Sequence, residues 1–182
     1  MTSYCEYVRN NPEDVYNRLY HDNEYGYPLK DDNLLFERFV LEINQAGLSW
    51  ITILKKKDNF RRAYQNFDIS IIANYGKKDI DRLLLDTGII RNKIKINAAI
   101  ENAKRIRSLY GEFGSFKGWL DAHHPRSLDG WTKLFKANFF FTGGEIVREF
   151  LISTGYLPGA HDLDCPIYEN VAILKPAWAL IN

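Results

Sequence analysis

The stretch Leu41–Lys57 limits what this chain can become, because it places a carboxylate where a core side chain belongs. Leu35, Phe39, Glu42, Ile43 and Ala46 fall at the spacing of one helix face, and Glu42 alone in that stripe is polar. An isolated ionised carboxylate is costly to bury, so Glu42 must be hydrogen-bonded, share a proton or line a cavity. Gly47 offers a C-terminal stop, and Ser49 an N-cap for a second helix beginning at Trp50. A carboxylate and a large aromatic are thereby held at one helix–helix corner. Two readings stay open: a Glu that bonds backbone groups beside a core Trp, or one wall of a binding site.

The 182 residues suffice for one domain spanning 1–182, or for two small lobes sharing a core. With 46% hydrophobic and 14% aromatic residues, a folded globule is expected. No run of 18 apolar residues occurs and no charged-then-apolar leader, so no membrane partner and a cytoplasmic location are expected. Cys5 and Cys165 lie near opposite ends, and in that compartment metal ligation is a better first reading than a disulfide. A net charge of +1 means that any nucleic-acid contact must come from a local patch.

Along the chain, residues 1–30 read as short helices and loops, after which Asp31 and Asp32 offer N-caps. The apolar stripe through Ile53 and Leu54 ends in Lys55-Lys56-Lys57, and a separate helix is expected over 58–67. Ile80, Leu83 and Leu84 mark a short amphipathic helix that Asp86-Thr87-Gly88 breaks. Helical spacing resumes over 89–108, making a helix-hairpin-helix candidate at about 79–108. Gly88 permits close backbone approach, free N–H groups at the second helix's start can hold a phosphate, and Arg91, Lys93 and Lys95 add charge. An ordinary αα-hairpin with a solvated basic face fits the same pattern. A last long helix carries Ile146, Val147, Phe150 and Leu151.

His161-x-x-x-Cys165 is a pair of metal-binding side chains at chelating spacing, and Cys5 with His21 would complete a tetrahedral Cys2His2 set. A free buried cysteine and an exposed histidine also fit, because only the second pair is local.

Tyr20-His21-Asp22-Asn23-Glu24-Tyr25-Gly26 and Gln45-Ala46-Gly47-Leu48-Ser49-Trp50 resemble the two signature stretches of the DNA-3-methyladenine glycosylase I family. Lys55-Lys56-Lys57 and Thr87-Gly88-Ile89-Ile90-Arg91 sit at matching places, and the resemblance covers roughly residues 5–166. It implies an all-α helix-hairpin-helix glycosylase fold in which Cys5, His21, His161 and Cys165 hold a structural zinc that clasps the two ends. It further implies a base excision repair hydrolase that extrudes 3-methyladenine from alkylated double-stranded DNA and releases it as the free base. Glu42 is then the catalytic, base-reading carboxylate, Tyr20, Trp50 and Tyr7 bind the substrate, and Gly88, Arg91 and Lys93 contact DNA. Tyr7 and Tyr25 stand where the family usually has Trp. Lys136 to Glu145 departs from its pattern, with Phe139-Phe140-Phe141-Thr142-Gly143 in place of a Phe-x-Phe-Val-Gly run. Ile90-Arg91 follows the hairpin turn, so no lyase activity is expected, and a monomer is expected. A weakly active lesion-sensing module and a zinc-stapled scaffold for protein partners are the alternatives; a scaffold would fill the Glu42 corner with apolar side chains.

Overall fold

A computed structural model describes residues 2–180, and the described residues form helices without strands. Two short helices open the chain, α1 (Tyr4–Asn10) and α2 (Val15–Asn23), capped by the side chains of Ser3 and Asp14. Helix α3 (Asp32–Gln45) follows, its first turn closed by Asp31, which accepts from the Leu34 N–H. Leu35, Phe36, Phe39, Val40 and Ile43 are completely buried, so α3 is packed on more than one side and forms the axis of the molecule. Its buried polar residues are mostly satisfied. Arg61 donates to Glu37, Arg38 donates to Tyr20 and Glu24, and the Asn44 amide donates to the Val40 carbonyl.

The expected corner forms. α3 ends at Gln45, Gly47 takes φ +81°, and α4 (Trp50–Ala63) begins after Ser49. One expectation fails here: α4 runs straight through the three lysines to Ala63, so 58–67 is not a separate helix. Lys57 pairs with Glu24 and Lys56 reaches the Thr87 carbonyl, so two of the three lysines have partners that let the helix continue. A short 3-10 turn (Gln65–Phe67) and α5 (Ile69–Ile72) lead to α6 (Lys77–Leu85) and the long α7 (Lys93–Phe113).

The hairpin is therefore present, with a shifted boundary. Its second helix begins at Lys93 and not at Ile89, because the Asn92 side chain accepts from the Ile94 and Lys95 N–H groups as an N-cap. Helices α8 (Phe116–His123), α9 (Leu128–Asn138) and α10 (Gly144–Ser153) complete an aromatic core in which Phe39, Phe116, Trp119, Phe135 and Phe150 pack together. The tail carries α11 (Pro166–Ile173). No helix among the described residues is long and apolar enough to cross a membrane.

Candidate active site and metal clasp

Cys5 on α1, His21 on α2, and His161 and Cys165 in the loop after α10 converge, with all their ligand atoms within 4.8 Å of one another. His21 Nε2 and His161 Nδ1 lie 3.2 Å apart. The sulfur–nitrogen separations run 3.2, 3.7, 3.8 and 3.9 Å. Around a tetrahedral Zn2+ with bonds of about 2.3 Å to sulfur and 2.0–2.1 Å to nitrogen, the corresponding edges are about 3.6 and 3.3 Å. These five separations are close to those edges, so the four side chains are grouped as the ligands of one metal ion would be.

The outer hydrogen bonds agree. His21 Nδ1 lies 2.8 Å from Asp22 Oδ1, and His161 Nε2 lies 2.8 Å from the Tyr25 carbonyl. Each ring thus donates outward and turns its bare nitrogen toward the other, an arrangement a cation between them stabilises. Burial pushes the Cys5 thiol up to about 12, a shift that a bound dication reverses by stabilising the thiolate. Gly26, at φ +82°, makes the approach possible, since a Cβ there would stand 2.6 Å from the Ala160 Cβ and 3.5 Å from the His161 ring.

Beside the clasp lies a cleft of about 450 Å³. Glu42 and Gln45 from α3 and Trp50 from α4 form one wall, Tyr4, Tyr20 and Tyr25 another, and Glu145, Arg148 and Glu149 from α10 a third. Glu42 is 4% exposed and, unlike Glu37, has no ion-pair partner among the described residues; burial is the main cause that pushes its carboxyl up to about 8. Arg38 opposes that rise, while Glu149 and Glu145 add to it. Trp50 stands edge-on to Tyr20 at 5.1 Å, and its buried indole N–H has no partner. The buried carboxylate and the unpaired indole N–H belong to one cleft, where a polar ligand can satisfy both.

Tyr20 is fixed from behind. Arg38 donates to its hydroxyl at 2.8 Å, and the guanidinium lies 4.8 Å from the ring centroid. On the α10 wall, Arg148 bridges Glu145 and Glu149 at 2.8 and 2.5 Å, and the Tyr25 hydroxyl donates to Glu149 at 3.1 Å. On this wall two carboxylates share one guanidinium, a balance that suits a cationic ligand.

Glu42, Tyr20 and Trp50 thus come together, whereas Tyr7 does not line the cleft. Tyr7 is 39% exposed, donates to Asp14 at 2.9 Å and stacks on Tyr4, and Tyr4 is the ring that faces the cleft. Tyr25, Glu145, Arg148 and Glu149 line the cleft and Arg38 backs it, none of them named as a site residue from the sequence; the Tyr in place of Trp at Tyr25 and the departure at Glu145 are the visible signals.

In the hairpin, Arg91 lies exposed in the turn and Lys93 is the exposed first residue of α7. Gly88 is closely packed, since a Cβ there would stand 2.9 Å from Asp86 Oδ1 and 3.1 Å from the Asn59 side chain. Its N–H is already taken by Asp86 Oδ1 at 2.7 Å, and the Ile94 and Lys95 N–H groups by Asn92, so these three are not free for a phosphate. Lys95 is buried, and its ammonium donates to the Asn44 and Ala46 carbonyls at 2.8 and 2.6 Å. It ties the hairpin to the end of α3 and does not face solvent.

Residues 10–133 match the family profile described as methyladenine glycosylase. The chain is 36% identical over 185 aligned positions to DNA-3-methyladenine glycosylase 1 of Escherichia coli (strain K12), covering 91% of this chain and 97% of that protein. It is equally identical to the DNA-3-methyladenine glycosylase of Haemophilus influenzae (strain ATCC 51907 / DSM 11121 / KW20 / Rd), over 91% and 98% of the two. A solved structure that addresses 3-methyladenine recognition by the glycosylase I of Staphylococcus aureus superposes with TM-score 0.78 at 32% identity, over 85% of this chain and 92% of that one.

Proposed function

The chain belongs to the methyladenine glycosylase family, and from that premise we propose that it excises 3-methyladenine from alkylated DNA by hydrolysing the bond between base and sugar. The observation that carries this reading is the buried Glu42 carboxylate, without an ion-pair partner among the described residues, lining with Trp50 and Tyr20 a cleft of about 450 Å³ that can admit a purine. A purine methylated at N3 is cationic, so its bond to the sugar is weak. The C1′–N9 bond breaks with both electrons going to the base, which leaves neutral. Water then adds to C1′ and loses its proton to solvent.

The residues need only position and stabilise. Glu42 accepts from the exocyclic amine of adenine, and the positive base draws its pKa back down. Trp50, Tyr20 and Tyr4 offer ring surface, each base stack being worth about 1–3 kcal/mol against the few kcal/mol that extrusion costs. Glu42, Glu145 and Glu149 place negative charge near the sugar as it gains oxocarbenium character.

Cys5, His21, His161 and Cys165 hold zinc in a closed four-ligand site, which supplies a cross-link between the chain's two ends and leaves no open coordination position. Arg91 and Lys93 contact DNA phosphates, with Gly88 letting the turn pack tightly. The protein acts as a monomer and as one domain, the latter supported by a single apolar core running from α3 to α10, and free thiolates for zinc fit a cytoplasmic setting.

Release of free 3-methyladenine from methylated duplex DNA by the purified protein tests the reading. Wild type should release the base, and Glu42→Gln should do so about one to two decades more slowly, the size of a lost charged hydrogen bond of about 1.5–3 kcal/mol. No release by folded, zinc-loaded wild type sinks it.

A further inference from the structure

The charges of the cleft suit one part of a nucleotide and not another. Among the described residues its lining carries four acidic side chains, Glu42, Glu145, Glu149 and Asp162, and one cation, Arg148. A methylated base is cationic and is drawn to such walls, but the nucleotide that carries it also brings phosphates, which those walls repel. An extruded nucleotide therefore needs a cation where its backbone passes.

Exposure separates the floor of the cleft from its mouth. Glu42 is 4% exposed, whereas the α10 side chains rise from 27% at Glu149 through 40% at Arg148 to 72% at Glu145. Glu42 thus marks the floor, where the base goes, and Arg148 and Glu145 mark the mouth. Arg148 is already set as an anion clamp. Its Nε and Nη2 donate to the two Glu145 oxygens at 3.2 and 2.8 Å, and Nη2 also pairs with Glu149 at 2.5 Å. A guanidinium makes that parallel fork with carboxylates and phosphates alike. The two carboxylates hold it unequally. Glu149 is the more buried and is tied by the Tyr25 hydroxyl at 3.1 Å. The pair with Glu145 faces water, where screening leaves an ion pair little strength.

We propose that Arg148 binds a phosphate of the extruded nucleotide at the mouth of the cleft, and that Glu145 occupies that phosphate's place in the free protein. The inference rests on the cleft being a base-extrusion site. On binding, the phosphate takes the fork over from Glu145, which turns out to solvent, while Glu149 keeps the guanidinium at the mouth. A guanidinium positioned beforehand loses less freedom on binding than a loose lysine would.

Wild type, Arg148→Gln, Arg148→Lys and Glu145→Gln are titrated with a duplex carrying 3-deaza-3-methyladenine, whose neutral base does not leave. The same duplex without the lesion and free 3-methyladenine serve as the other two probes. Arg148→Gln should bind the lesion duplex about tenfold more weakly, the low end for a lost charged hydrogen bond, with a log–log salt slope smaller by about 1. It should lose far less affinity for the free base, which carries no phosphate. Arg148→Lys should keep the wild-type slope. Glu145→Gln should bind the lesion duplex severalfold more tightly and gain little on the lesion-free one. If Arg148→Gln keeps the wild-type affinity and slope for the lesion duplex, or loses the free base equally, the phosphate contact is overturned. A Glu145→Gln gain of equal size on both duplexes, or no gain, overturns the stand-in role. Failure of wild type to bind free 3-methyladenine overturns the reading of the cleft and the contact with it.

Discussion

In a Glu42→Gln variant the side chain keeps its place on α3 but loses the charge that burial opposes. The wild-type carboxyl is pushed up to about 8 from an ordinary 4.5, so the folded state keeps a proton that the unfolded chain gives up between those values. The stabilisation from that proton is complete below pH 4.5 and is lost as pH rises toward 8. At about 1.4 kcal/mol per pH unit across the window, wild type should lose about 2–3 kcal/mol more than the variant between pH 6 and pH 8.5. For a chain of this length each kcal/mol moves Tm by about 2–4 °C, so the two melting temperatures should separate by a further 5–10 °C, roughly, over that range. Calorimetry of both proteins at the two pH values, with the metal site saturated, reads the difference, and the comparison cancels every titration they share. The variant should be the more stable protein at pH 8.5 and the slower enzyme. Melting curves that shift in parallel would refute the reasoning, because the Glu42 charge would then be solvated or paired and not held in a dry cleft.

Elemental analysis of untagged protein should find one zinc per chain, and Cys165→Ser should lower both the zinc content and Tm; substoichiometric zinc unchanged by the substitution would remove the clasp. The basic residues of the hairpin should split into two kinds. Arg91→Ala and Lys93→Ala should weaken DNA binding and flatten its salt dependence at unchanged Tm, since phosphate contacts release counterions. Lys95→Met should instead cost about 1.5–3 kcal/mol in chemical denaturation, because two α3 carbonyls lose a charged donor.

Residues whose placement depends on local helix geometry were legible in the sequence, and residues placed by distant partners were not. Glu42 and Trp50 could be read because one polar residue on an apolar face and a Gly-x-Ser break are local signals, and α3 and α4 meet where those signals place them. Tyr4 and Tyr7 lie three residues apart on one short helix, and nothing local says which ring reaches the cleft; Asp14, arriving from the next helix's N-cap, draws Tyr7 outward. Lys95 reads as one more basic residue of a solvated face, yet its acceptors lie about fifty positions upstream. The start of α7 was misplaced because Ile89 and Ile90 continue the helical spacing through a turn, where Ile89 is buried by packing and not by helix periodicity.

The clasp makes the chain a ring. His21 and His161 are 140 positions apart yet share one centre, with Cys5 and Cys165 outside them. With zinc bound, every helix from α3 to α10 lies inside a closed loop, and neither α2 nor the segment 161–165 can detach without breaking a coordination bond, whereas α11 lies outside the loop. Closing a loop of that length removes conformational freedom from the unfolded chain equivalent to about 5 kcal/mol by chain-entropy arithmetic. A protease that nicks one exposed loop between α4 and α9 would release no fragment, because the two pieces remain tethered through the metal.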